Sequence, residues 1–248
     1  MSGVAVITGG SRGIGAATAL LAARDGFAVC VNYVRDAEAA DAVVAEIRDT
    51  GGRAISFAGD VASEDDVVAL FDTATRELGP ITALVNNAGV VDMTARVDTF
   101  SRDRLMRMMT INVVGSFLAA REAIKRMSTR HGGTGGSIVN LSSAAARLGS
   151  ANQYVDYAAS KGAIDTMTVG LSQEVAREGI RVNAVRPGII DTEIHASGGQ
   201  PDRVARLRDT VPIGREGSAT EVAETIVWLL SDKASYTTGA LIDVTGGR

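Results

Sequence analysis

Seven short runs rich in apolar and β-branched residues recur along the chain: VAVIT at 4–8, AVCVN at 28–32, AISFA at 54–58, ITALVNN at 81–87, SIVNL at 137–141, IRVNAV at 180–185 and ALIDV at 240–244. They are apolar on both faces rather than alternating, the pattern of strands covered on both sides. Between them, residues 14–25, 38–49, 64–78, 104–127, 157–177 and 221–230 combine an apolar stripe at helical spacing with exposed charge. Strands separated by helices predict a doubly wound α/β domain, with a mostly parallel seven-stranded sheet and helices on both faces. No repeat or linker interrupts the pattern, so residues 1–248 are expected to form one domain.

Two glycine-dense segments differ in what surrounds them. HGGTGGS, residues 131–137, follows a helix and precedes a strand, and reads as a connection. TGGSRGIG, residues 8–15, follows a strand and opens a helix. In that order glycines permit a tight turn and close approach of backbone to a pyrophosphate, while the helix N-terminus offers free N–H groups. Gly9, Gly13 and Gly15 are spaced G-x-x-x-G-x-G, not the G-x-G-x-x-G of the Rossmann dinucleotide fingerprint. The loop alone therefore leaves open a turn needed only for strand-to-helix packing.

The end of the second run refines the expected cofactor. NAD sites place an acidic residue there for the ribose 2′-hydroxyl, whereas this chain has Asn32 and Tyr33 followed by Arg35, with Arg12 in the glycine loop. A carboxylate repels a 2′-phosphate and arginine can hold one with two parallel bonds, so the pattern predicts NADP over NAD. The alternative is that Arg35 only caps a surface turn.

Composition excludes other classes. A net charge of −4, with 25 basic residues scattered among 29 acidic ones, gives no polybasic run for nucleic acid or an anionic membrane. Cys30 is the one cysteine and His131 and His195 the two histidines, so neither a disulfide framework nor a zinc site is expected. No stretch of about 18 apolar residues is present to span a bilayer. A soluble protein of the cytoplasm fits these features.

The stretch YAASK adds candidate chemistry. In a helix, Tyr157 and Lys161 lie one turn apart on one face, where an ammonium can lower the pKa of a phenol. Tyr154 has Ala158 at the corresponding position and is no rival. The bland reading is a buried tyrosine beside a lysine whose stem covers apolar surface.

Together with the glycine loop, NNAG at Asn86 to Gly89, Asn112 in TINVVGS, the pair Ser142 and Ser143, YAASK, and RPGIIDT at Arg186 to Thr192 occur in the order and approximate spacing of the short-chain dehydrogenase/reductase family. The resemblance runs the length of the chain, down to GALIDVTGG. It implies that Thr8, Gly9, Ser11, Arg12, Gly13, Ile14 and Gly15 form the cofactor turn and that Asp60 and Val61 meet the adenine. It places Asn87, Ala88 and Gly89 beside the ribose, and Pro187, Gly188, Ile190 and Thr192 around the nicotinamide. Ser143, Tyr157 and Lys161 match the catalytic triad, with Asn112 as a fourth member that holds a water in a proton relay. Ser143 aligns better than Ser142, although its fourteen-residue separation from Tyr157 implies an extra loop residue within GSANQYVD.

These residue types suit carbonyl reduction. Hydride addition leaves charge on oxygen, which needs a donor such as Ser143 and an acid such as Tyr157. An ordinary phenol, with a pKa of about 10, exchanges protons poorly at neutral pH, and Lys161 together with an oxidised nicotinamide would stabilise its phenolate. The expected function is an NADP-dependent oxidoreductase that interconverts a secondary alcohol and a ketone or aldehyde. The chain resembles both 3-oxoacyl carrier-protein reductases and sugar or polyol dehydrogenases. Arg126, Arg130 and Arg177 are candidates for docking an acidic carrier. A different class, a non-catalytic NADP-binding sensor or assembly module, is disfavoured by the full catalytic set. Residues 189–215, with His195, are expected to form a mobile substrate lid. Relatives are commonly tetramers, and Ile111, Val114, Phe117, Ala120, Met167 and Leu171 offer apolar positions for a homotetramer.

Overall fold

All seven expected strands are present, parallel, and joined in one sheet of order β3-β2-β1-β4-β5-β6-β7. They are β1 (Val4–Ile7), β2 (Ala28–Tyr33), β3 (Ala54–Ala58), β4 (Ile81–Asn86), β5 (Gly136–Leu141), β6 (Ile180–Pro187) and β7 (Leu241–Val244). This computed structural model describes residues 3–248; the side chain of His195 also lies outside the described residues. The chain steps outward from β1 through β2 to β3, returns to β4 beside β1, and continues to the other edge, the Rossmann arrangement. The reversal between β1 and β4 opens a crevice at their C-terminal ends, where ligands bind in such sheets.

Two apolar layers cover the sheet. One packs α1 (Gly13–Arg24), α2 (Ala37–Asp49) and α10 (Ala219–Leu230) against it through residues such as Ala19, Ala22, Ile47 and Ile226. The other packs α3 (Glu64–Leu78), α5 (Gly115–Met127) and α7 (Val155–Val175) through Leu70, Phe71, Ala123 and Ile164. Helix starts follow local side-chain chemistry: Asp36, Ser63 and Ser218 accept from the first turns of α2, α3 and α10, and Ser218 and Glu221 complete a reciprocal cap.

The structure departs from the sequence expectation in four places. The helix expected over 104–127 is α4 (Arg102–Met109), a π-helical turn over Thr110–Val114, and α5. Gly115 sits where this wider turn presses on the loop after β3; a Cβ there would lie 2.9 Å from the Val61 carbonyl oxygen. A short α6 (Ala145–Leu148) follows β5, and the extra loop residue is absorbed by left-handed backbone at Ser150 and Asn152. The segment 189–215 contains α8 (Ile194–Ser197) and α9 (Arg203–Leu207). Of the apolar positions assigned to subunit contacts, Ala120 and Met167 are buried within this chain's own core and Ile111 and Leu171 pack partly against it, whereas Val114 and Phe117 are about half exposed. Small and flexible side chains on those helix faces read as surface stripe in the sequence but fill the gap beneath it.

Candidate active site

The glycine loop is built by tying β1 to β4. Thr8 is buried; its hydroxyl accepts from the backbone N–H groups of Asn87 and Ala88, both at 3.0 Å, and donates to the Val85 carbonyl. The Asn87 amide returns bonds to the Thr8 and Gly9 carbonyls at 2.9 and 2.8 Å. These bonds leave no room for side chains in the turn. A Cβ at Gly15 would lie 2.4 Å from the Gly9 oxygen, and Gly9 itself has φ of +60°. Arg12, the N-cap of α1, makes no side-chain cap, so no side chain at that position satisfies the first N–H groups of α1, from Gly13, Ile14 and Gly15. An anion fits such a cradle.

At the end of β2, Asn32 differs from its expected role. It is buried, its Oδ1 accepts from Gly9 N–H at 3.3 Å, and its amide donates to the Gly59 carbonyl at 2.8 Å. It therefore fastens the glycine loop to β3 and is not free to meet a phosphate. Arg12 and Arg35 are exposed and make no side-chain bond to the described residues, while Tyr33 is partly exposed between β2 and α2. Asp60 is positioned by Asp66, whose carboxylate accepts from its N–H at 2.8 Å, and Val61 beside it is buried. Asp66 carried no signal in the sequence, because it lies one turn inside α3 among other acids.

The C-terminal ends of β4 and β5 and the start of α7 gather the candidate chemistry. Ser142 is buried and donates to the Lys161 carbonyl, which leaves Ser143 facing the cavity. Ser143 Oγ accepts from the Ala145 N–H at 3.1 Å and lies close enough to the Tyr157 phenol to favour its ionised form. Lys161 is 5 % exposed, and its Nζ donates to the Leu141 carbonyl at 2.6 Å and lies 5.7 Å from the centre of the Tyr157 ring. Asn112, in the π-turn, is buried; its amide donates to the Val90 carbonyl and to Ser160 Oγ, and Ser160 in turn donates to the Tyr157 carbonyl at 2.7 Å. Asn112 thus braces α7 against the NNAG loop, and Gly89 fits beside it: a Cβ there would meet Asn112 Oδ1 at 3.4 Å and Lys161 Nζ at 3.5 Å.

Burial governs the protonation of the pair. Removal from water lowers the Lys161 ammonium to about 8, opposed by the negative charge of Asp165. The same effect raises the Tyr157 phenol above its ordinary value, opposed by the nearby Ser143 hydroxyl and by the positive charge of Arg203. In the protein alone, then, the net direction for Tyr157 is upward, contrary to the expectation drawn from its spacing to Lys161. The ammonium sits toward the ring and bonds a backbone carbonyl rather than the phenol oxygen.

Tyr157, Ser143 and Lys161 line one cavity of about 420 Å³ with Asn87, Gly89, Pro187, Gly188, Ile190 and Thr192. Thr192 also touches the glycine loop, since a Cβ at Gly13 would lie 3.2 Å from its methyl. Gln153, Tyr154, Arg203 and Arg248 complete the wall. These four carry no local signal in the sequence, because Arg203 and Arg248 reach the site only through the folding of α9 and the C-terminal segment. Tyr154 enters through its ring, and its hydroxyl accepts from Thr94 Oγ1 and Gln200 Nε2.

Comparison with known proteins agrees with this geometry. A family model described as enoyl-(acyl carrier protein) reductase matches residues 9–248. The chain is 55% identical to the uncharacterized oxidoreductase YgfF of Escherichia coli, over 99% of both chains. It is 41% identical to the cis-4-hydroxycyclohexanecarboxylate dehydrogenase of Sinomonas cyclohexanicum, over 98% of this chain and 95% of that one. A solved mutant of a Serratia marcescens short-chain dehydrogenase/reductase superposes with a TM-score of 0.90 at 33% identity, covering 98% of this chain and 96% of that chain. With these likenesses spanning the whole parallel sheet and its crevice, the chain belongs to the short-chain dehydrogenase/reductase family and is an oxidoreductase.

Proposed function

We propose that the protein uses NADP to interconvert a secondary alcohol and a ketone or aldehyde, with Tyr157 as acid and base. One observation carries the reading: Tyr157, with Ser143 beside it and Lys161 Nζ 5.7 Å from its ring centre, opens into the same cavity as the residues that follow β4 and β6. A module that only binds a dinucleotide needs no acid there. The glycine cradle and uncapped start of α1 fit a pyrophosphate, and the partnerless guanidinium groups of Arg12 and Arg35, with Tyr33, fit a 2′-phosphate. When bound, NADPH supplies the hydride and, once oxidised, a positive ring that favours the phenolate. Ser143 donates to the substrate oxygen, Tyr157 delivers or takes the proton, and Lys161, anchored on Leu141, holds the ribose. Asn112 positions α7 through Ser160.

Among substrates, a small molecule is favoured over a carrier-bound thioester. Arg126 pairs with Asp72 and Glu122, and Arg130 faces Glu178 at 3.6 Å, so two of the three arginines available for an acidic carrier are already compensated. A sugar or polyol remains the alternative within the same chemistry. Among the described residues no helix is long and apolar enough to cross a membrane. A cytoplasmic location is part of this reading, as is a homotetramer in which exposed Val114, Phe117 and Val169 are covered by a second copy.

Four outcomes follow. Tyr157→Phe is expected to keep its fold and NADPH affinity and to lose turnover by about 10² to 10⁴, with wild-type alcohol oxidation rising with pH because the phenolate is the base; steady-state kinetics on a ketone panel and cofactor titration check this. In the cofactor-free protein, the unfolded chain binds more protons than the folded one between the folded Lys161 value of about 8 and its ordinary 10.5. That group's contribution to stability therefore rises with pH across this window, and Lys161→Met should remove the rise in urea midpoints. NADPH should bind more tightly than NADH, and Arg35→Ala should reduce that preference about tenfold or more, read by fluorescence titration; Asn32→Asp tests instead the integrity of the loop. Light scattering at micromolar concentration should give the mass of a tetramer, and Phe117→Asp a smaller species.

A further inference from the structure

The wall of the active-site cavity contains three cationic side chains, Lys161, Arg203 and Arg248, and no Asp or Glu side chain. Lys161 is accounted for by the Leu141 carbonyl. Arg203, at the start of α9 in the lid, is half-buried, and its Nη1 donates to the side-chain oxygens of Gln153 at 2.5 Å and Gln200 at 3.4 Å. Its guanidinium lies 5.3 Å from the centre of the Tyr154 ring. All of these partners are uncharged.

Other sheltered arginines in the chain are compensated. Arg104 pairs with Asp156 at 2.7 Å, and Arg186 with Asp165 at 2.8 Å. Arg181 donates to the carbonyls of Leu229, Leu230 and Ser231 at the end of α10. Arg203 has neither a carboxylate nor a helix end among the described residues. It also lies near Arg248, whose backbone oxygen accepts from Arg147 at 3.1 Å at the cavity wall. Burial disfavours the charged form of Arg203, as do the positive charges of Arg248 and Arg206, while Tyr154 favours it. A cation kept partly out of water beside another cation is costly unless an anion arrives. The charge also reaches the reacting group, since it acts on the Tyr157 phenol.

We propose that Arg203, with Arg248 behind it, binds a carboxylate of the substrate, so that the alcohol and carbonyl compounds handled at Tyr157 are hydroxy acids and oxo acids. A guanidinium matches a carboxylate with two parallel bonds, and Gln153, Gln200 and Tyr154 hold its plane toward the cavity. The inference deepens the function proposed above and rests on it for the carbonyl end; the anion end rests on Arg203.

The test uses full-length protein saturated with NADP. Calorimetric titration with cyclohexanecarboxylate and with the neutral cyclohexanecarboxamide should show the acid binding at least about tenfold more tightly. Arg203→Gln should abolish that preference while leaving cofactor affinity and melting temperature unchanged, and Arg203→Lys should retain part of it. In turnover with NADPH, 4-oxocyclohexanecarboxylate should exceed its methyl ester in kcat/KM, mainly through KM. Equal binding of acid and amide to the wild type overturns the proposal. So does an Arg203→Gln protein that weakens both ligands alike, which would make Arg203 a strap for the lid. Acid-blind reduction of both ketones overturns the carboxylate site and leaves the role of Tyr157 standing. Selective acid binding with no ketone reduced by the wild type overturns the catalytic reading, and with it the oxo-acid assignment.

Discussion

Where β1 and β4 end side by side, the chain must leave the sheet in two directions, and backbone groups there lose their ladder partners. Buried N–H and C=O groups have to be satisfied. Thr8, Asn32 and Asn87 do so with short side chains, closing the Asn87 and Ala88 N–H groups and the Thr8, Gly9 and Gly59 carbonyls. The same bonds fix the glycine loop and hold the crevice open to ligand. Behind it, Asn86, Asn140 and Thr168 continue a buried chain of bonds from β4 through β5 into α7, the helix that carries Tyr157 and Lys161. The site is thus an extension of the way the sheet's reversal is satisfied.

That dependence explains which features the sequence makes legible. Strands such as AVCVN and the helix patterns of α3 or α10 are dictated by local periodicity, and the structure has them within a few residues. The glycine loop is legible because only residues without Cβ fit against the Gly9 oxygen. Ser142 and Ser143 are separated by burial rather than chemistry, and their order in the motif is enough to choose between them. The π-turn at Asn112 is not legible in the local pattern, and the close approach of Gly115 to Val61 beside it joins residues far apart in sequence. Asn32 misleads for a similar reason: it occupies the position of a ribose contact, but the Gly9 N–H and Gly59 carbonyl claim it. Arg203 carries no local pattern at all and acquires meaning only when α9 folds over Tyr154.

The protonation of the site follows from a competition in which burial prevails. Water removal moves Tyr157 and Lys161 toward their neutral forms, the phenol upward and the ammonium downward to about 8. The spacing of the two residues suggests an acidified tyrosine, but spacing sets only proximity. The direction depends on where the charge points, and Lys161 points toward the Leu141 carbonyl. The protein alone therefore favours the neutral phenol at Tyr157, and added positive charge beside it would be needed to favour the phenolate.

Arg203 joins these two themes. Its charge favours the ionised form of Tyr157 while the cavity has no anion, and a carboxylate seated on it would cancel much of that pull. An oxo acid would then find the phenol more firmly protonated than the protein alone presents it, which keeps the proton available until hydride transfer creates the negative oxygen that takes it. A neutral ketone would leave the guanidinium uncompensated and would gain nothing from the lid. In that arrangement the group that recognises the substrate also biases the acid that acts on it, because both lie in one cavity where few charges are screened by water.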